Sequence, residues 1–541
     1  MSPRSLTPAV ALAAALVWLP AAAQSRPDEN ELFGGGQQEK TPATPENTPP
    51  SSRPSEDSIF GGPATSEGEP SGATPTEPSS VNPSAPPAQP PAVEQSGREE
   101  MRDEQALSGT GFEEKFGSEE HAEDPLKIGG QFYLRALAQG NEGVSFGETA
   151  FSAPTLVDGY FDARPTDRLR GMVVGRLSFD PTLLSQSTGV PGAGQGGGTR
   201  ANPSVLLDQA WLRFDIARTV FVTAGKQHVK WGTSRFWNPT DFLSPQRRDP
   251  LAIFDARTGA SMLKLHVPWE DKGWNFYGIA LLDNAGPAST LGRIGGALRA
   301  EVVLGQAELG ASTVLQRGRK PRFGFDVSSA LGPIDVYAEA ALKKGSDTPL
   351  YRLPQGVTVD EFLEQIRDIP INTLEDITKL PVESYFPDGL TPQVSGGFTY
   401  TFAYSENDTV TVGVEYFYNS TGYNFAAAYP YLIAQGQYQP FYVGQHYGAI
   451  YAVLVGPGSW DKTSFILSNL GNLSDRSFTT RFDVLHRALS YLSVEAYVAA
   501  SYGNKGGEFR FALDYPPFVV DGKALVPAPT VQVGAGLRIN L

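Results

Sequence analysis

The chain has 541 residues, with 59 acidic and 43 basic side chains, 58 glycines and no cysteine. The absence of cysteine excludes disulfides, thiolate metal ligands and cysteine nucleophiles. The length would allow several domains, although a large all-β barrel also reaches this size as a single unit.

Residues 1–23 have the pattern of a secretory signal peptide. Arg4 supplies a short basic region, an apolar run follows it, and Ala21 and Ala23 occupy the small-residue positions before a cleavage site. A membrane anchor is the alternative, but the apolar run is shorter than the roughly 20 residues that a spanning helix needs. We therefore expect the chain to be exported and this segment to be removed.

Residues 24–125 are predicted to form a disordered, acidic, proline-rich arm. The segment has too few large apolar side chains to offset the entropy lost on ordering it. It carries 21 acidic and 6 basic residues, which account for nearly all of the chain's net charge of −16. The remainder, 126–541, is close to neutral, which argues against nucleic-acid binding because that function needs a basic surface.

Two short stretches of the arm resemble each other, "ELFGG" and "DSIFGG". One interpretation is that they dock a periplasmic partner of an export apparatus or envelope complex. The alternative is chance similarity within a biased composition. The residues that would carry the docking are Leu32, Phe33, Ile59 and Phe60.

Residues 126–541 contain many segments in which apolar and polar residues alternate. In the last segment, "VQVGAGLRINL", Val531, Val533 and Leu537 share one face with Ile539 and Leu541. A period of two predicts strands with one apolar and one polar face. Eighteen strands are predicted, at 127–138, 156–164, 168–180, 204–216, 219–230, 258–268, 273–284, 293–304, 306–316, 320–330, 333–344, 392–404, 408–419, 443–455, 461–468, 476–486, 489–501 and 528–541.

The connections between these strands alternate between short turns and mostly long loops. An even number of strands with this asymmetry predicts an all-β fold, a transmembrane antiparallel up-and-down barrel whose closure leaves no edge facing lipid. A soluble β-sandwich is the alternative. Trp269, Trp274 and Trp460 border short turns, where they fit either an aromatic girdle or local packing.

On the signal peptide, the alternating strands, the loop asymmetry and the C-terminal strand, 126–541 resembles the outer-membrane β-barrels of Gram-negative bacteria. The strand number is similar to that of alginate-type polysaccharide exporters and of sugar-specific porins. The stretch "GKQHVKWGTSRFWNPTD" is similar to a strand-to-loop segment of several uncharacterised barrels. The resemblance implies location in the cell outer membrane, contact with outer-membrane lipid and insertion by the barrel assembly machinery. That family's last strand commonly ends in Phe, where this chain has Leu541.

If the apolar face of each strand meets lipid, the polar face lines the interior. A basic side chain on the lipid side would cost about 2–4 kcal/mol at the bilayer midplane. The lining would suit a hydrophilic or anionic cargo, or it would form a salt-bridged ladder that stiffens the wall. At 219–230 the phase is ambiguous, and either a bulge switches the face or the lysine end lies above the bilayer. The basic residues predicted to line the lumen are Arg135, Arg170, Arg176, Arg213, Lys264, Arg299, Arg322, Arg481 and Arg538.

The third long-side connection, 230–257, is predicted to fold into the barrel and narrow it. Its tryptophans would offer ring faces to sugars and its arginines would contact anions. The alternative is a loop packed on the outer rim, where its backbone groups are easier to satisfy. The predicted constriction residues are Trp231, Arg235, Trp237, Arg247 and Arg248.

The sixth long-side connection contains the one helical pattern, 357–380, where Thr358 and Glu361 make a capping box. This helix would cap the mouth, fold inward or lie on the rim.

No enzyme signature is found in the sequence. The five histidines lack metal-ligand spacing, and there is no nucleophile elbow or phosphate loop. We expect no catalytic residues, no cofactor and no metal site.

The leading functional hypothesis is a channel that exports or passes hydrophilic material, with an exopolysaccharide as the candidate cargo. The second hypothesis is a barrel that anchors an envelope-spanning secretion or motility complex through its arm. The third is a general or sugar-specific porin.

Overall fold

The computed structural model describes residues 125–183, 186–188, 199–252, 257–282, 294–369, 374–405, 408–515, 518–520 and 523–541. The predicted signal peptide and all of the acidic arm but Pro125 lie outside them. The docking prediction for Leu32, Phe33, Ile59 and Phe60 also lies outside the described residues. The domain boundaries stay predictions.

The described chain forms a closed antiparallel barrel of eighteen strands, which confirms the predicted fold class. Each strand pairs with the next in the chain, so the topology is up-and-down. The strands are β1 (Leu126–Asn141), β2 (Thr155–Thr166), β3 (Leu169–Phe179), β4 (Ser204–Ile216), β5 (Val220–Gln227), β6 (Ala260–Trp269), β7 (Trp274–Leu281), β8 (Gly295–Leu304), β9 (Ala307–Leu315), β10 (Arg322–Leu331), β11 (Ile334–Lys344), β12 (Leu390–Ala403), β13 (Thr409–Asn419), β14 (His446–Val455), β15 (Thr463–Asn472), β16 (Ser477–Leu489), β17 (Leu492–Gly503) and β18 (Pro529–Asn540).

The barrel closes between its first and last strands. β1 pairs with β18 from Gln131 opposite Asn540 onward, and the Leu541 amide donates to the Gly130 carbonyl at 2.8 Å. Closure gives the last strand a partner on each side, as a span through lipid requires. Both described ends of the chain therefore lie at the end of the barrel that carries the short turns.

The two faces of the wall differ as the alternation predicts. On β8, Leu298 is 62% exposed while its neighbour Arg299 is 4% exposed. On β10, Phe325 is 52% exposed and Asp326 is 6% exposed. Apolar side chains outside and charged side chains inside are the distribution of a membrane-spanning barrel.

Exposed aromatic rings gather at the short-turn end. Trp269 packs edge-on against Trp274, and Trp460 packs against Phe465. Trp269 and Trp460 keep half or more of their surface exposed, as does Tyr404. Such rings match the interfacial belt of membrane barrels.

In 219–230 the sequence left open which residues face lipid and which face the lumen, because the strand ends earlier than predicted. β5 stops at Gln227, and the outward Lys226 donates from Nζ to the Leu207 carbonyl at 2.7 Å. The neighbouring strand β4 contains a one-residue irregularity at Asp208, which switches its face. The bulge therefore lies in β4, and the lysine end of 219–230 is partly loop.

The predicted helix at 357–380 is shorter than expected and divides into α1 (Val359–Ile366) and α2 (Leu374–Ile377). The capping box of Thr358 and Glu361 is present. A third helix, α3 (Tyr429–Ala434), lies in the β13–β14 connection. Short 3-10 turns occur at Phe146–Glu148, Glu270–Lys272, Ala426–Ala428 and Glu508–Arg510. Among the described residues, no helix is long and apolar enough to cross a membrane.

Three long connections, β11–β12, β13–β14 and β17–β18, share one hydrophobic core at the long-loop end. Phe362 and Ile366 of α1 are each 1% exposed there, so the helix packs against other loops. We call this core the cap cluster. Its buried members are Tyr351, Phe362, Ile366, Ile377, Leu380, Tyr429, Tyr431, Leu432, Val443, Phe511, Leu513 and Phe518.

Smaller strand pairs accompany the loops. They are Ala150–Ser152 with β1, Gln186–Thr188 with Thr199–Ala201, Leu350–Arg352 with Glu383–Tyr385, and Val519–Val520 with Lys523–Ala524.

Candidate functional site

The connection between β5 and β6 enters the barrel and contacts the inner wall. We call its described residues, 228–252 and 257–259, the internal loop. Ser234, Phe236 and Trp237 are 0–1% exposed although they belong to no strand. A buried loop needs partners for its backbone groups, and two glutamates of the wall supply them.

Glu339 of β11 holds the first part of the internal loop. Its Oε1 accepts the Thr233 amide at 2.6 Å and the Ser234 amide at 2.5 Å. The same carboxylate accepts the Asn238 side-chain amide at 3.2 Å and the Thr240 hydroxyl at 2.7 Å. Because one side chain accepts four donors from 233–240, it fixes one bend of the loop.

Glu415 of β13 holds the next three residues. Its carboxylate accepts the backbone amides of Arg235 at 2.8 Å, Phe236 at 3.2 Å and Trp237 at 2.8 Å. It also accepts the hydroxyl of Tyr337 at 2.9 Å. The internal loop therefore presents consecutive amides to two carboxylates on different strands, an arrangement that suits an anion.

Aromatic rings of the wall pack around the side chains of the same segment, and we call such a packing site on the wall a seat of the internal loop. The Trp237 ring stacks on Phe417, with centroids 5.7 Å apart, and also contacts Tyr447 at 5.5 Å. Phe236 meets Tyr451 edge-on at 5.3 Å. Trp237 is 0% exposed, so its ring faces cannot stack on a passing sugar as the sequence suggested.

A second apolar seat lies on the inner face of β6 to β9. Trp231 and Leu243 of the internal loop pack there with Met262 and Ile279. Trp231 is 3% exposed, and the Arg299 guanidinium lies 5.6 Å from its ring. The inner wall is therefore apolar in the places where the internal loop covers it, and the ring of Trp231 is also enclosed.

The internal loop continues across to β16. There the Arg481 guanidinium donates to the Leu251 carbonyl at 2.9 Å. Within the loop, Arg248 donates to the Arg235 carbonyl at 2.8 Å, and Arg235 is 4% exposed. Arg248 is partly exposed, and Arg247 is exposed. The role of these residues as a constriction stays a prediction.

The nine basic residues predicted to line the lumen lie on the inner face of the wall, and six of them contact carboxylates. Lys264 is 3% exposed, and Arg213 stands opposite Arg170 in the strand register. A salt-bridged ladder was one of the two interpretations of the inward charges, and these pairs have that arrangement. The inner face remains polar. The pairs are Arg170–Asp162 (2.9 Å), Arg176–Asp158 (2.8 Å), Arg299–Asp326 (2.7 Å), Arg322–Asp347 (3.0 Å), Arg481–Asp483 (2.6 Å) and Arg538–Glu495 (3.4 Å).

Arginines and aromatic rings alternate on the strands β16–β18 and β1–β4, which we call the charged wall. Guanidinium groups within about 6 Å of a ring make favourable cation–π contacts. These contacts order side chains that would otherwise be flexible, while their charges stay on the inner face. The contacts are Arg170 and Arg213 with Trp211 (5.7 and 5.1 Å), Arg135 and Arg538 with Tyr133 (5.6 and 5.2 Å), and Arg481 with Tyr497 (3.8 Å).

A third buried carboxylate links the internal loop to the long connections. Glu508 accepts the hydroxyl of Tyr447 at 2.6 Å, the side-chain amide of Asn472 at 2.9 Å and the backbone amide of Phe441. The Phe441 carbonyl accepts the indole N–H of Trp237 at 2.9 Å. Burial raises the pKa of Glu508 to about 8. No motif surrounds Glu508 in the chain, so sequence reasoning missed its role.

Within the described part of the chain, no group of three or more His, Asp or Glu side chains is placed to hold a metal ion.

No protein-family model and no curated protein matches this chain. Among solved structures, a triple mutant of the Rhodopseudomonas blastica porin is 11% identical with a TM-score of 0.36, covering 77% of this chain and all of that one. OccAB1 of Acinetobacter baumannii is 11% identical with a TM-score of 0.46, covering 77% and 96%. OccK11 (OpdR) of Pseudomonas aeruginosa is 8% identical with a TM-score of 0.42, also covering 77% and 96%. Likenesses this distant carry no inference about what this chain does.

Proposed function

We propose that this chain is an outer-membrane channel for small hydrophilic solutes. The observation that carries the proposal is the contrast between the two faces of the closed wall. Leu298 and Phe325 point outward, whereas Arg299 and Asp326 point inward as an ion pair. The two charges compensate each other, and an inner face built from such polar pairs suits a lumen that admits polar solutes.

The solute path follows the charged wall. The apolar seats of the internal loop lie on the opposite side, from β6 to β15, where Met262 and Phe417 belong to them. The loop meets the charged wall at Arg481 of β16 and at Asp208 of β4. A lumen that a loop crosses favours small solutes over a polymer. Passage of small solutes, as through a general or sugar-specific porin, therefore takes precedence over exopolysaccharide export, and no described residue favours the envelope-anchor hypothesis.

The long loops face the cell exterior and the short turns face the periplasm in this proposal. Leu126 and Leu541 lie together at the short-turn end, so the acidic arm begins on the periplasmic side. Outer-membrane lipid surrounds the apolar face, and the barrel assembly machinery inserts the chain. Any partner of the arm would be periplasmic.

Swelling of liposomes that contain the mature chain tests the proposal. Monosaccharides should enter quickly, disaccharides more slowly, and a long polysaccharide not at all. Removing 24–125 should leave the swelling rates unchanged if the arm is only a tether. Liposomes that swell no faster than empty ones would refute the channel, and rapid uptake of the polymer would restore the export hypothesis.

A further inference from the structure

Four basic side chains converge inside the long-loop mouth of the barrel. Arg322 of β10 shares the inner face with Asp326, and Lys343 of β11 shares it with Glu339. Arg247 of the internal loop and Arg319 of the β9–β10 turn lie close enough to Lys343 for their charges to act on it. We call Arg247, Arg319, Arg322 and Lys343 the mouth cluster.

Asp347 stands among these cations and contacts two of them. Asp347 lies 3.0 Å from the Arg322 guanidinium and 3.8 Å from Lys343 Nζ, and it accepts the Lys320 amide at 2.8 Å. Partial burial raises the pKa of Asp347, but the Lys320 amide, Lys343 and Arg322 outweigh it and leave the pKa below its ordinary value. One ionised carboxylate is thus shared by several cations.

The other cations repel one another. The pKa of Arg319 is lowered by burial and by the nearby charge of Arg322. The surrounding barrel wall separates Arg247 from bulk water and lowers its pKa, although its side chain surface stays accessible. Arg322 and Arg257 lower the pKa further, while Tyr442 and Asp241 oppose them. Like charges held at close range disfavour one another unless an anion lies between them.

Arg247 has the exposure and the geometry to receive such an anion. Its guanidinium lies over the Tyr442 ring at 5.3 Å and makes a long contact, 3.4 Å, with the side-chain oxygen of Gln393. It is exposed although it lies inside the wall. A planar guanidinium held over a ring can offer two parallel N–H groups to an oxyanion.

We propose that the mouth cluster is a binding site for a small multivalent oxyanion, such as inorganic phosphate or a di- or tricarboxylate solute. Arg322 and Lys343 lie on the inner face, so the ligand is a free solute and not a lipid phosphate, which would meet the outer face. The inference rests on the proposed channel function and names the solutes that the channel concentrates at its long-loop mouth.

Titration calorimetry with inorganic phosphate on the detergent-solubilised chain tests the site without requiring a current. A triple variant should bind phosphate at least about tenfold more weakly, since each substitution removes a charge-assisted hydrogen bond to the anion. The substitutions are Arg247→Gln, Arg322→Gln and Lys343→Gln. The Asp347→Asn variant should bind it more tightly, because it removes the anion that competes for the same cations. Arg168→Gln, at the short-turn end beside Asp215, is the matched control.

Planar-bilayer currents distinguish this inference from the channel itself. Phosphate added on the long-loop side should reduce the wild-type current in KCl and affect the triple variant much less. Unchanged phosphate affinity in both the triple variant and Asp347→Asn would overturn the site. The single variant Arg319→Gln, in an exposed turn, keeps the test valid if the triple variant fails to fold. Phosphate binding without any current would refute only the channel.

Discussion

Removal of the Glu415 carboxylate is the sharpest perturbation of the internal loop. In Glu415→Ala, the backbone amides of Arg235, Phe236 and Trp237 and the hydroxyl of Tyr337 lose their acceptor. A buried donor without a partner costs about 1–3 kcal/mol. Four such groups sum to at least about 4 kcal/mol, which shifts the equilibrium between seated and displaced loop by about a thousandfold.

Two measurements follow that displacement. Amide hydrogen exchange in 233–241 should accelerate strongly, and the single-channel conductance should rise or become noisy as the loop leaves its seat. Glu495→Ala is the control for hydrogen exchange, because Glu495 is also buried on the inner face but its described partner is Arg538. Wild-type exchange and conductance in Glu415→Ala would show that the carboxylate does not hold the loop.

Three further predictions concern the same contacts. Gly232 has a φ of +98°, and a Cβ there would lie 2.5 Å from the Glu339 carboxylate oxygens. Gly232→Ala should therefore loosen the internal loop and speed hydrogen exchange of the loop amides. Unchanged exchange of these amides would contradict the prediction. Burial favours the neutral form of Glu508 and raises the pKa of this carboxyl to about 8. The contribution of Glu508 to stability is therefore complete below the ordinary pKa of a glutamate and is lost as the pH rises through about 8. After correction for the intrinsic exchange rate, exchange of the β13–β14 loop should accelerate between about pH 4.5 and pH 8 with a slope of about one proton, and level off above that. Glu508→Gln should abolish this dependence, and a dependence that survives would assign it to another group. Phe362→Ala removes a ring that is 1% exposed in the cap cluster and should destabilise that cluster by about 3–5 kcal/mol. Proteolysis of the β11–β12 loop should become faster while the melting temperature of the barrel stays unchanged. A loop that resists the protease as well as in the wild type would refute this prediction.

The barrel could be predicted from sequence because its alternation is local. On β18 and β13 every second residue is apolar, so the lipid-facing side of each strand can be read from its own sequence. At β5 the rule failed, because the bulge that resolves the phase lies on the neighbouring strand at Asp208. The end of a strand is also set by its partners, which is why 219–230 was too long by several residues.

The internal loop could be located by counting strands, but its contacts could not. Ser234 and its acceptor Glu339 are 105 residues apart in the chain, and Arg235 and Glu415 are 180 apart. No local pattern reports such a pair. For the same reason the sequence suggested exposed ring faces for Trp237, whereas the inward aromatic residues of β13 and β14 enclose it.

Single-channel recording of the mature chain in planar lipid bilayers tests the central claim most directly. A closed barrel with a charged wall and an internal loop fixed against the inner face should give discrete current steps of uniform size that scale with the concentration of KCl. Folding is checked independently by the resistance of the barrel to unfolding in cold detergent. A folded, inserted chain that passes no current above that of bare lipid would contradict the account.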